Sequence, residues 1–435
     1  MGSVFDRSHC TVNCNSVMPE TDTQSLSEEI GVKILSYSQH SWDSECAPLP
    51  RSGHRVACDD KYLYSFGGYN PNIGTNVHPE WTPDRPLFRE LWRYNILTHR
   101  WKKLPVQNIP RILASSSVIL SGTVLFVFGG TGAPFGEECS RDLYVCNLAQ
   151  KDEELSFQVV PTTGDLPEPL YGQGVLLDQN YLYTVGGTSG YIFSNEIYRL
   201  DLGTQVWEHL KVQNPQSAPD ARYRHELALY KGEIYMFGGG VNDSAFDLKK
   251  IPVFNPNKRE WRTITTFPCK KGYPERRKSH SLVQVPSQPN LIIICGGNHG
   301  LEQHQDTWMF NIKSRHWHCL PLCSLTFGLH FHDSAITPSG KMITFGGIKS
   351  RIRSRREEER INDVYSAWVC IPPLSELCLE ILVEAVPSLK SLSLDSLKEM
   401  GLPEKFLRRF IDNEIPADKN PPTLPTNTNF SCVMR

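Results

Sequence analysis

Short apolar runs separated by turn residues recur along most of the chain. The clearest unit spans residues 222–264, in which Gly, Asn and Lys residues separate four such runs. This pattern is typical of four antiparallel strands. A single sheet of this kind cannot bury both of its faces, so the sequence predicts that it packs against copies of itself. The runs are residues 226–230, 234–237, 248–255 and 261–264.

Three sequence marks repeat in register with these runs. A double glycine ends the second run, an aromatic residue begins the fourth, and in some copies Arg-x-x-His precedes the first. The copies are about 50 to 60 residues apart, near the period of about 50 of kelch repeats. The double glycines are Gly67–Gly68, Gly129–Gly130, Gly186–Gly187, Gly238–Gly239, Gly296–Gly297 and Gly346–Gly347; the aromatic residues are Trp101, Phe157, Trp207, Trp261 and Trp317; the motifs begin at Arg51, Arg222 and Arg277.

These marks resemble those of the kelch repeat family over residues 32–370. The resemblance implies an all-β fold, a six-bladed kelch β-propeller with one blade for each double glycine. Glycine suits a strand end that needs a positive φ or a close backbone approach. Tryptophan offers a large apolar surface to the neighbouring blade. A glycine-rich α/β domain is the rival fold, and the lack of a helical apolar period between the strands disfavours it.

The sixth copy is incomplete at its C-terminal end. Its third strand is predicted at residues 362–368, and Pro372–Pro373 follows in place of a fourth. A strand-like stretch at residues 32–43, which includes Trp42, precedes the first motif. We expect it to supply the missing outer strand and so remove an open edge. The propeller is thus predicted over residues 31–371, after a disordered arm at 1–30.

Composition narrows the functional classes. The formal net charge of −2 gives no overall attraction for nucleic acid, and no apolar run is long enough for a membrane span. Because the first 30 residues are polar, we expect no secretory leader and reduced cysteines in the cytoplasm and nucleus. Residues 414–435 are predicted to be a disordered tail. The basic loop 349–360 is interpreted as solvated, with a patch for an acidic partner as the alternative.

One cluster of histidines and cysteines is a possible zinc site. Zinc binding requires four ligands that converge, but His318 and Cys319 are neighbours on a predicted strand and face opposite sides. A copper oxidase of similar architecture needs a Tyr/His ligand set, which the sequence does not indicate. We therefore expect no metal, no cofactor and no catalytic residues. The cluster comprises His316, His318, Cys319, Cys323, His330 and His332.

Residues 372–413 change to a helical composition. A first helix is predicted between Pro373, which suits a first turn, and Pro387. Apolar residues recur along it at i, i+4 spacing and form one apolar face. A second short helix is predicted from an N-cap at Asp395, and a third after Leu402–Pro403. The apolar face comprises Leu374, Leu377, Cys378, Ile381, Leu382 and Ala385.

This helical segment resembles two docking motifs of ubiquitin-ligase receptors. The first helix is similar to the elongin-BC box, and the third to the cullin-2 box. The cullin-5 version of that box fits poorly, because Glu404–Lys405 follows Leu402–Pro403. The alternative is that the helices only pack under the propeller. The resemblance implies that Leu374, Leu377, Cys378, Ile381 and Leu382 bind elongin B/C, and that Leu402, Pro403, Phe406 and Phe410 bind cullin-2 with its RING subunit.

The whole chain resembles kelch-repeat substrate receptors of cullin-2 ubiquitin ligases, a group related to receptors that capture C-termini ending in glycine. A free carboxylate needs convergent donors, and the residues before it need an apolar wall. The two residues inside each Arg-x-x-His motif, or at the corresponding place, should project at the propeller mouth. In blade two these are Ile112 and Leu113. The expected substrate-binding residues are Tyr171, Tyr223, Arg224, Lys278, Ser279, His330 and Phe331.

One departure affects this expectation. A relative that binds diglycine ends carries arginines directly after its fourth-blade double glycine, where this chain has Gly240–Val241–Asn242. Arg224 and Lys278 are therefore expected to meet the carboxylate; the alternative for Arg224 is a surface residue in a local ion pair. The chain is interpreted as a non-catalytic receptor that presents substrates for ubiquitination and proteasomal degradation. The alternative is a non-enzymatic kelch scaffold for actin or a signalling enzyme.

Overall fold

Each copy of the repeat folds into an antiparallel sheet whose strands follow one another outward from a central axis. The computed structural model describes residues 36–41, 46–74, 82, 86–242, 244–350 and 358–410. The arm predicted at 1–30, the tail at 414–435, Trp42 and most of the basic loop lie outside these residues. The six sheets form the predicted six-bladed β-propeller.

The first three blades have four strands each, and blade three gains a short fifth strand, Thr163–Gly164, that pairs parallel to its outer strand. The strands are Arg55–Cys58, Tyr62–Phe66, Leu91–Asn95 and Trp101–Leu104 in blade one; Ser117–Ser121, Val124–Phe128, Leu143–Asn147 and Gln158–Val159 in blade two; and Gly174–Asp178, Tyr181–Thr188, Phe193–Asp201 and Val206–His209 in blade three.

The last three blades repeat this plan, and blade six takes its outer strand from the N-terminal side of the chain. Small hairpins extend their loops: Ser244–Ala245 on blade four, Asn298–His299 with Glu302–Gln303 on blade five, and Leu329–His330 with Ile348–Ser350 and Glu358–Arg360 on blade six. The main strands are Tyr223–Tyr230, Glu233–Val241, Lys250–Asn255 and Glu260–Thr265 in blade four; Ser281–Gln284, Leu291–Cys295, Thr307–Asn311 and His316–Cys319 in blade five; and Asp333–Ile336, Lys341–Phe345, Val364–Trp368 and Ser38–Gln39 in blade six.

The recurrent aromatic residues join each blade to the one before it. The Trp317 ring lies 6.4 Å from Phe237, which immediately precedes the double glycine of blade four. Trp101 of blade one packs in the same way on Phe345 of blade six, with ring centroids 4.9 Å apart. These rings are buried, so the aromatic residues stabilise the contacts between blades and continue around the closed ring.

The double glycines let the next blade approach closely. Both residues of each pair have positive φ, and a Cβ on Gly238 would lie only 2.5 Å from the carbonyl oxygen of Arg277. The N–H of Gly239 donates to that carbonyl at 3.0 Å. The Arg222 guanidinium in turn donates to the Gly238 carbonyl at 3.0 Å. Where the motif arginine is present, its side chain therefore satisfies a carbonyl of the double glycine in its own blade, while the double glycine satisfies a backbone carbonyl of the next blade.

The N-terminal strand Ser38–Gln39 lies at the outer edge of blade six, where the sequence predicted a missing strand. It pairs antiparallel with Ser366 and Tyr365. The Tyr37 hydroxyl contacts Thr344 at 3.1 Å, and the His40 ring is hydrogen-bonded to Tyr94 at 2.8 Å and to Ser366 at 2.7 Å. Residues before the first motif thus cover the last blade and also contact blade one.

Three helices follow the propeller: α1 (Leu374–Ala385), α2 (Leu394–Glu399) and α3 (Glu404–Phe410). The predicted N-cap of α2, Asp395, is wrong by two residues. Ser393 is the N-cap, and its Oγ accepts the Ser396 N–H, while Asp395 lies in the first turn. Serine is as good a cap as aspartate, so the sequence alone did not distinguish the two.

Candidate functional site

The floor of the propeller mouth is a ring of six residues, one from each blade. All six have φ between 52° and 64°. Each donates its N–H to the carbonyl of the ring residue in the preceding blade at 2.7–3.1 Å, and Gly53 donates to Phe331, so the cycle closes. This cycle holds even the non-glycine members in a left-handed conformation that costs free energy. The ring residues are Gly53, Ser115, Gly172, Arg224, Ser279 and Phe331.

The ring corrects the alignment of blade two. Ile112 and Leu113 were expected at the mouth, but Ala114 and Ser115 occupy the corresponding positions. Ala114 forms the same bridge to its double-glycine loop that Lys278 forms in blade five, and Ser115 is the ring member. The prediction aligned Arg111 with the arginine of the motif, whereas the structure places Leu113 there. The error arose because blade two lacks the Arg-x-x-His motif.

Arg224 extends from blade four across the centre of the mouth. It hydrogen-bonds Ser115 Oγ of blade two, and its guanidinium carbon lies 4.6 Å from the centre of the Phe331 ring of blade six. Only 7% of the residue is exposed. Among the described residues no carboxylate forms a salt bridge with Arg224. This excludes a local ion pair with any described residue as the role of Arg224.

The surroundings of Arg224 disfavour its charge on balance. Burial, together with the nearby positive charge of Arg55, lowers the pKa of Arg224 to about 10, which still leaves it protonated at neutral pH. Two nearby carboxylates, the half-buried Glu226 and the buried Asp333, instead pair with Arg55 at 3.0 and 3.2 Å. Arg224 is therefore a buried cation held by a neutral hydroxyl and an aromatic face.

Lys278 and three aromatic rings stand beside Arg224. The Lys278 ammonium hydrogen-bonds the Asn242 carbonyl and lies 5.4 Å from the centre of the Tyr223 ring. Tyr223 packs edge-on against Tyr171, with ring centroids 6.3 Å apart, and against Phe193 at 5.4 Å. The predicted cations and aromatic residues of blades three to five thus form one contiguous surface.

Two further predicted residues add polar atoms to the floor. Ser279 Oγ and His330 Nδ1 are buried and have no hydrogen-bond partner within the part of the chain that the structure describes. Burial lowers the pKa of His330 to about 3, so its imidazole is neutral at physiological pH. Buried polar atoms without partners are uncommon in proteins, and here they lie beside a buried cation.

A second arginine lies at the mouth and was not predicted from the sequence. Arg360, on the blade-six hairpin, donates from Nε to Ser52 Oγ at 3.0 Å, and its guanidinium lies 5.1 Å from the centre of the Tyr69 ring. It belongs to the basic loop that was interpreted as solvated, and no repeat motif marks it. Its only signal was its place after a double glycine, where loops converge on the mouth.

A second candidate surface lies on α1. Leu374 is 75% exposed, and Cys378, Ile381, Leu382 and Ala385 on the same side are also exposed. Contiguous exposed apolar residues of this kind indicate an interaction site. Most of the apolar face predicted from the sequence is therefore exposed to solvent.

Two of the predicted partner-binding residues instead face the chain's own core. Leu377 is 8% exposed and packs against Trp368 of blade six. Phe410 is buried with Leu379, Val383, Leu389, Leu397 and Leu407. Leu402 and Phe406 pack partly on the same cluster, whereas Pro403 is exposed. Leu377 and Phe410 thus stabilise the helical unit.

Polar contacts anchor the helices to blades one and six. Glu380 of α1 pairs with Lys341 and accepts the Trp368 indole N–H at 2.7 Å. Asn95 of blade one donates to the Arg409 carbonyl at 2.9 Å, and Leu97 joins the helical core. The mouth and the exposed face of α1 therefore belong to one packed structure.

Comparison with known proteins places this architecture in a family. Family models match two overlapping parts: the KLHDC2/KLHL20/DRC7 Kelch-repeats domain matches residues 29–239, and the Attractin/LZTR1 beta-propeller matches residues 182–366. Kelch domain-containing protein 10 of Xenopus laevis is 39% identical over 366 residues, which are 83% of this chain and 86% of that protein. The chain belongs to the kelch domain-containing protein 10 family.

Two further relatives show a comparable similarity to this chain. Kelch domain-containing protein 10 of Homo sapiens is 39% identical over 365 residues, which cover 83% of this chain and 80% of that protein. The Drosophila melanogaster homologue is 35% identical over 383 residues, covering 83% and 62%. Membership of a kelch propeller family supports a non-enzymatic protein-interaction domain.

No group of three or more His, Cys, Asp or Glu side chains among the described residues could hold a metal ion. No helix in the described ranges is both long and apolar enough to cross a membrane.

Proposed function

We propose that this chain is the substrate-recognition subunit of a cullin-2–elongin B/C ubiquitin ligase. The propeller mouth binds the C-terminus of a substrate protein that ends in glycine. The helical segment binds elongin B/C and cullin-2 with its RING subunit. The chain has no catalytic role; it positions the substrate for ubiquitination and proteasomal degradation in the cytoplasm and nucleus.

The observation that carries the mouth assignment is the buried, protonated guanidinium of Arg224. A buried charge without a counter-ion is costly, and a ligand carboxylate removes that cost. Arginine presents donors in a fork that matches a carboxylate. Ser279 Oγ and the Lys278 ammonium add donors on the adjacent blade. Tyr171, Tyr223 and Phe331 give the preceding residue an aromatic wall.

The exposed apolar side of α1 supports the ligase assignment. A helix that presents apolar residues at i, i+4 and i+8 fits a hydrophobic groove on a partner. Leu374, Cys378 and Leu382 have this spacing and match the elongin-BC box. The other side of α1 is already used against the propeller, so partner binding does not require the helix to unfold or turn over.

The proposal is tested by reconstitution. The full chain is purified with and without elongin B/C, combined with cullin-2 and its RING subunit, and supplied with a reporter whose C-terminus ends in glycine. We expect a stable complex with elongin B/C and ubiquitination of the reporter only when the whole assembly is present. A monodisperse chain that neither binds elongin B/C nor supports ubiquitination would favour a kelch scaffold instead.

A further inference from the structure

An exposed apolar patch adjoins the propeller mouth. At the tip of the blade-three hairpin, Tyr191 is 82% exposed and Ile192 is 72% exposed. Phe135, on the blade-two loop, is also exposed, and a Cβ on Gly190 would lie 3.7 Å from its carbonyl oxygen. We call Phe135, Tyr191 and Ile192 the rim patch. Clustered apolar residues of this kind need an explanation that isolated ones do not.

Within the described part of the chain, the side chains of Tyr191 and Ile192 do not hold the two loops together, whereas the Phe135 ring packs on Tyr69 of blade one with ring centroids 4.7 Å apart. The loops pack through glycines, since a Cβ on Gly136 would lie 2.6 Å from the Ser189 carbonyl oxygen. The hairpin tip is held by hydrogen bonds to the Ile192 carbonyl, from Ser189 N–H at 3.1 Å and from Thr188 Oγ1 at 2.8 Å. Backbone and hydroxyl groups therefore form this turn, and the side chains of Tyr191 and Ile192 remain available for binding.

A path of aromatic side chains connects the carboxylate pocket to the rim patch. It starts at Lys278, whose ammonium faces Tyr223, and continues through Tyr171. The Tyr171 hydroxyl oxygen lies 3.6 Å from where a Cβ on Gly190 would be. The path is on the order of 15 Å long, which is four or five residues of extended chain at about 3.3 Å each.

The distribution of charge favours this exit over the others. The charged ends of the three mouth cations lie on the floor and on the sides of blades four and one. The Arg224 guanidinium lies on the floor against Ser115 and Phe331, the Lys278 ammonium contacts Asn242 and Tyr223 of blade four, and Arg360 contacts Ser52 and Tyr69 of blade one. When the carboxylate of a peptide is bound among these cations, the preceding residues of that peptide extend over blades two and three. That side offers aromatic surface to an extended peptide.

We propose that the rim patch binds a bulky apolar side chain of the substrate tail. This side chain lies four or five residues before the C-terminal carboxylate, because an extended chain rises about 3.3 Å per residue. This inference rests on the proposed function of the mouth. It adds a second specificity position, so that two tails with the same last residues bind differently. The occupant belongs to the same peptide whose carboxylate lies near Arg224.

The test uses labelled peptides of one length that share the same last two residues and have a serine-rich remainder. A single phenylalanine is moved one position at a time from the third to the seventh residue before the end, and each peptide is titrated against the full chain bound to elongin B/C. We expect the highest affinity when the phenylalanine is at the fourth or fifth position before the end. That affinity should be about tenfold higher than for the peptide without phenylalanine. The double variant Tyr191→Ser, Ile192→Ser should remove this preference.

Leu301→Ser provides the matched control. Leu301 is an apolar residue at a hairpin tip on blade five and is 64% exposed, and its loss should leave the position dependence unchanged. Equal affinity for every phenylalanine position would overturn the inference. Self-association of the chain that disappears in the Tyr191→Ser, Ile192→Ser variant would assign the rim patch to a second copy and also overturn it. Each peptide is also measured as its C-terminal amide, so that failure of carboxylate binding itself is detected separately.

Discussion

At the scale of single residues, Arg224 combines a strained backbone with a buried charge that no carboxylate of the described residues pairs. Its φ of 56° is imposed by the hydrogen-bonded ring. The sequence indicated that Arg224 projects into the mouth, because Arg-x-x-His marks its blade clearly. It could not indicate that the side chain reaches Ser115, since blade two lacks the motif and its alignment was wrong by two residues. Arg360 was missed because it lies outside any repeat motif.

Arg224→Gly should abolish most carboxylate binding without disturbing the ring. Glycine already occupies the ring in blades one and three, as Gly53 and Gly172, so the substitution removes the side chain and relieves the left-handed strain. Hydrogen bonds to a charged group contribute about 1.5–3 kcal/mol, so we expect affinity for a glycine-ending peptide to fall about 10- to 100-fold. Calorimetric titration measures the change, and the melting temperature checks the fold.

Lys313→Ala is the charge-matched control for this prediction. Lys313 is exposed in the turn between the third and fourth strands of blade five, at the end of the propeller away from the mouth. The substitution removes one positive charge and leaves the mouth unaltered, so peptide affinity should equal that of the unaltered chain. An equal loss in both variants would indicate general electrostatic attraction rather than a site at Arg224.

At the scale of secondary-structure elements, α1 has two apolar sides with different roles. The spacing of its apolar residues correctly predicted the helix. The spacing alone could not show which of these residues face the propeller and which face solvent. The partners of the inner side, Trp368 and Leu97, come from blades six and one. Only the packed structure separates Leu377, which faces the propeller, from Leu374 and Cys378, which face outward.

This division gives opposite expectations for neighbouring substitutions. Leu374→Ala with Cys378→Ala should leave the melting temperature unchanged and abolish capture by elongin B/C, because these side chains are exposed in the isolated chain. Leu377→Ala should instead destabilise the helical unit by about 2–5 kcal/mol, the range for a buried leucine. Thermal melts and pull-down with elongin B/C measure the two effects. Normal elongin binding by the double variant would contradict the assignment of α1.

At the scale of the whole molecule, the propeller is closed by two cycles of backbone hydrogen bonds and by one strand from the N-terminal side. The ring at the mouth forms one cycle. The double glycines form the other, which ends with Gly347 donating to the Arg51 carbonyl at 2.8 Å. The repeat marks predicted six blades, and the missing fourth strand of the last blade predicted where the chain must return. The ring itself was not predictable, because left-handed residues such as Ser279 and Phe331 carry no sequence signal.

Deletion of residues 1–45 should destabilise the propeller, whereas deletion of residues 1–30 should not. The longer deletion removes Ser38–Gln39 from the edge of Val364–Trp368, together with Tyr37 and His40, which contact blade five, blade six and blade one. We expect a loss of at least about 3 kcal/mol, comparable to removal of one buried aromatic side chain. Thermal melts of both deletions measure this, and equal melting temperatures would contradict closure by this strand.

Carboxylate capture at the mouth is tested most directly by a single paired titration. The full chain, bound to elongin B/C, is titrated with one peptide that ends in glycine, once with its free C-terminal carboxylate and once as the amide. Because the guanidinium of Arg224 is buried without an anionic partner in the described chain, binding should depend on the negative charge, and amidation should weaken it by about 10-fold or more. Equal affinity for the acid and the amide would contradict the account, and recognition of an internal segment or a folded surface would replace it.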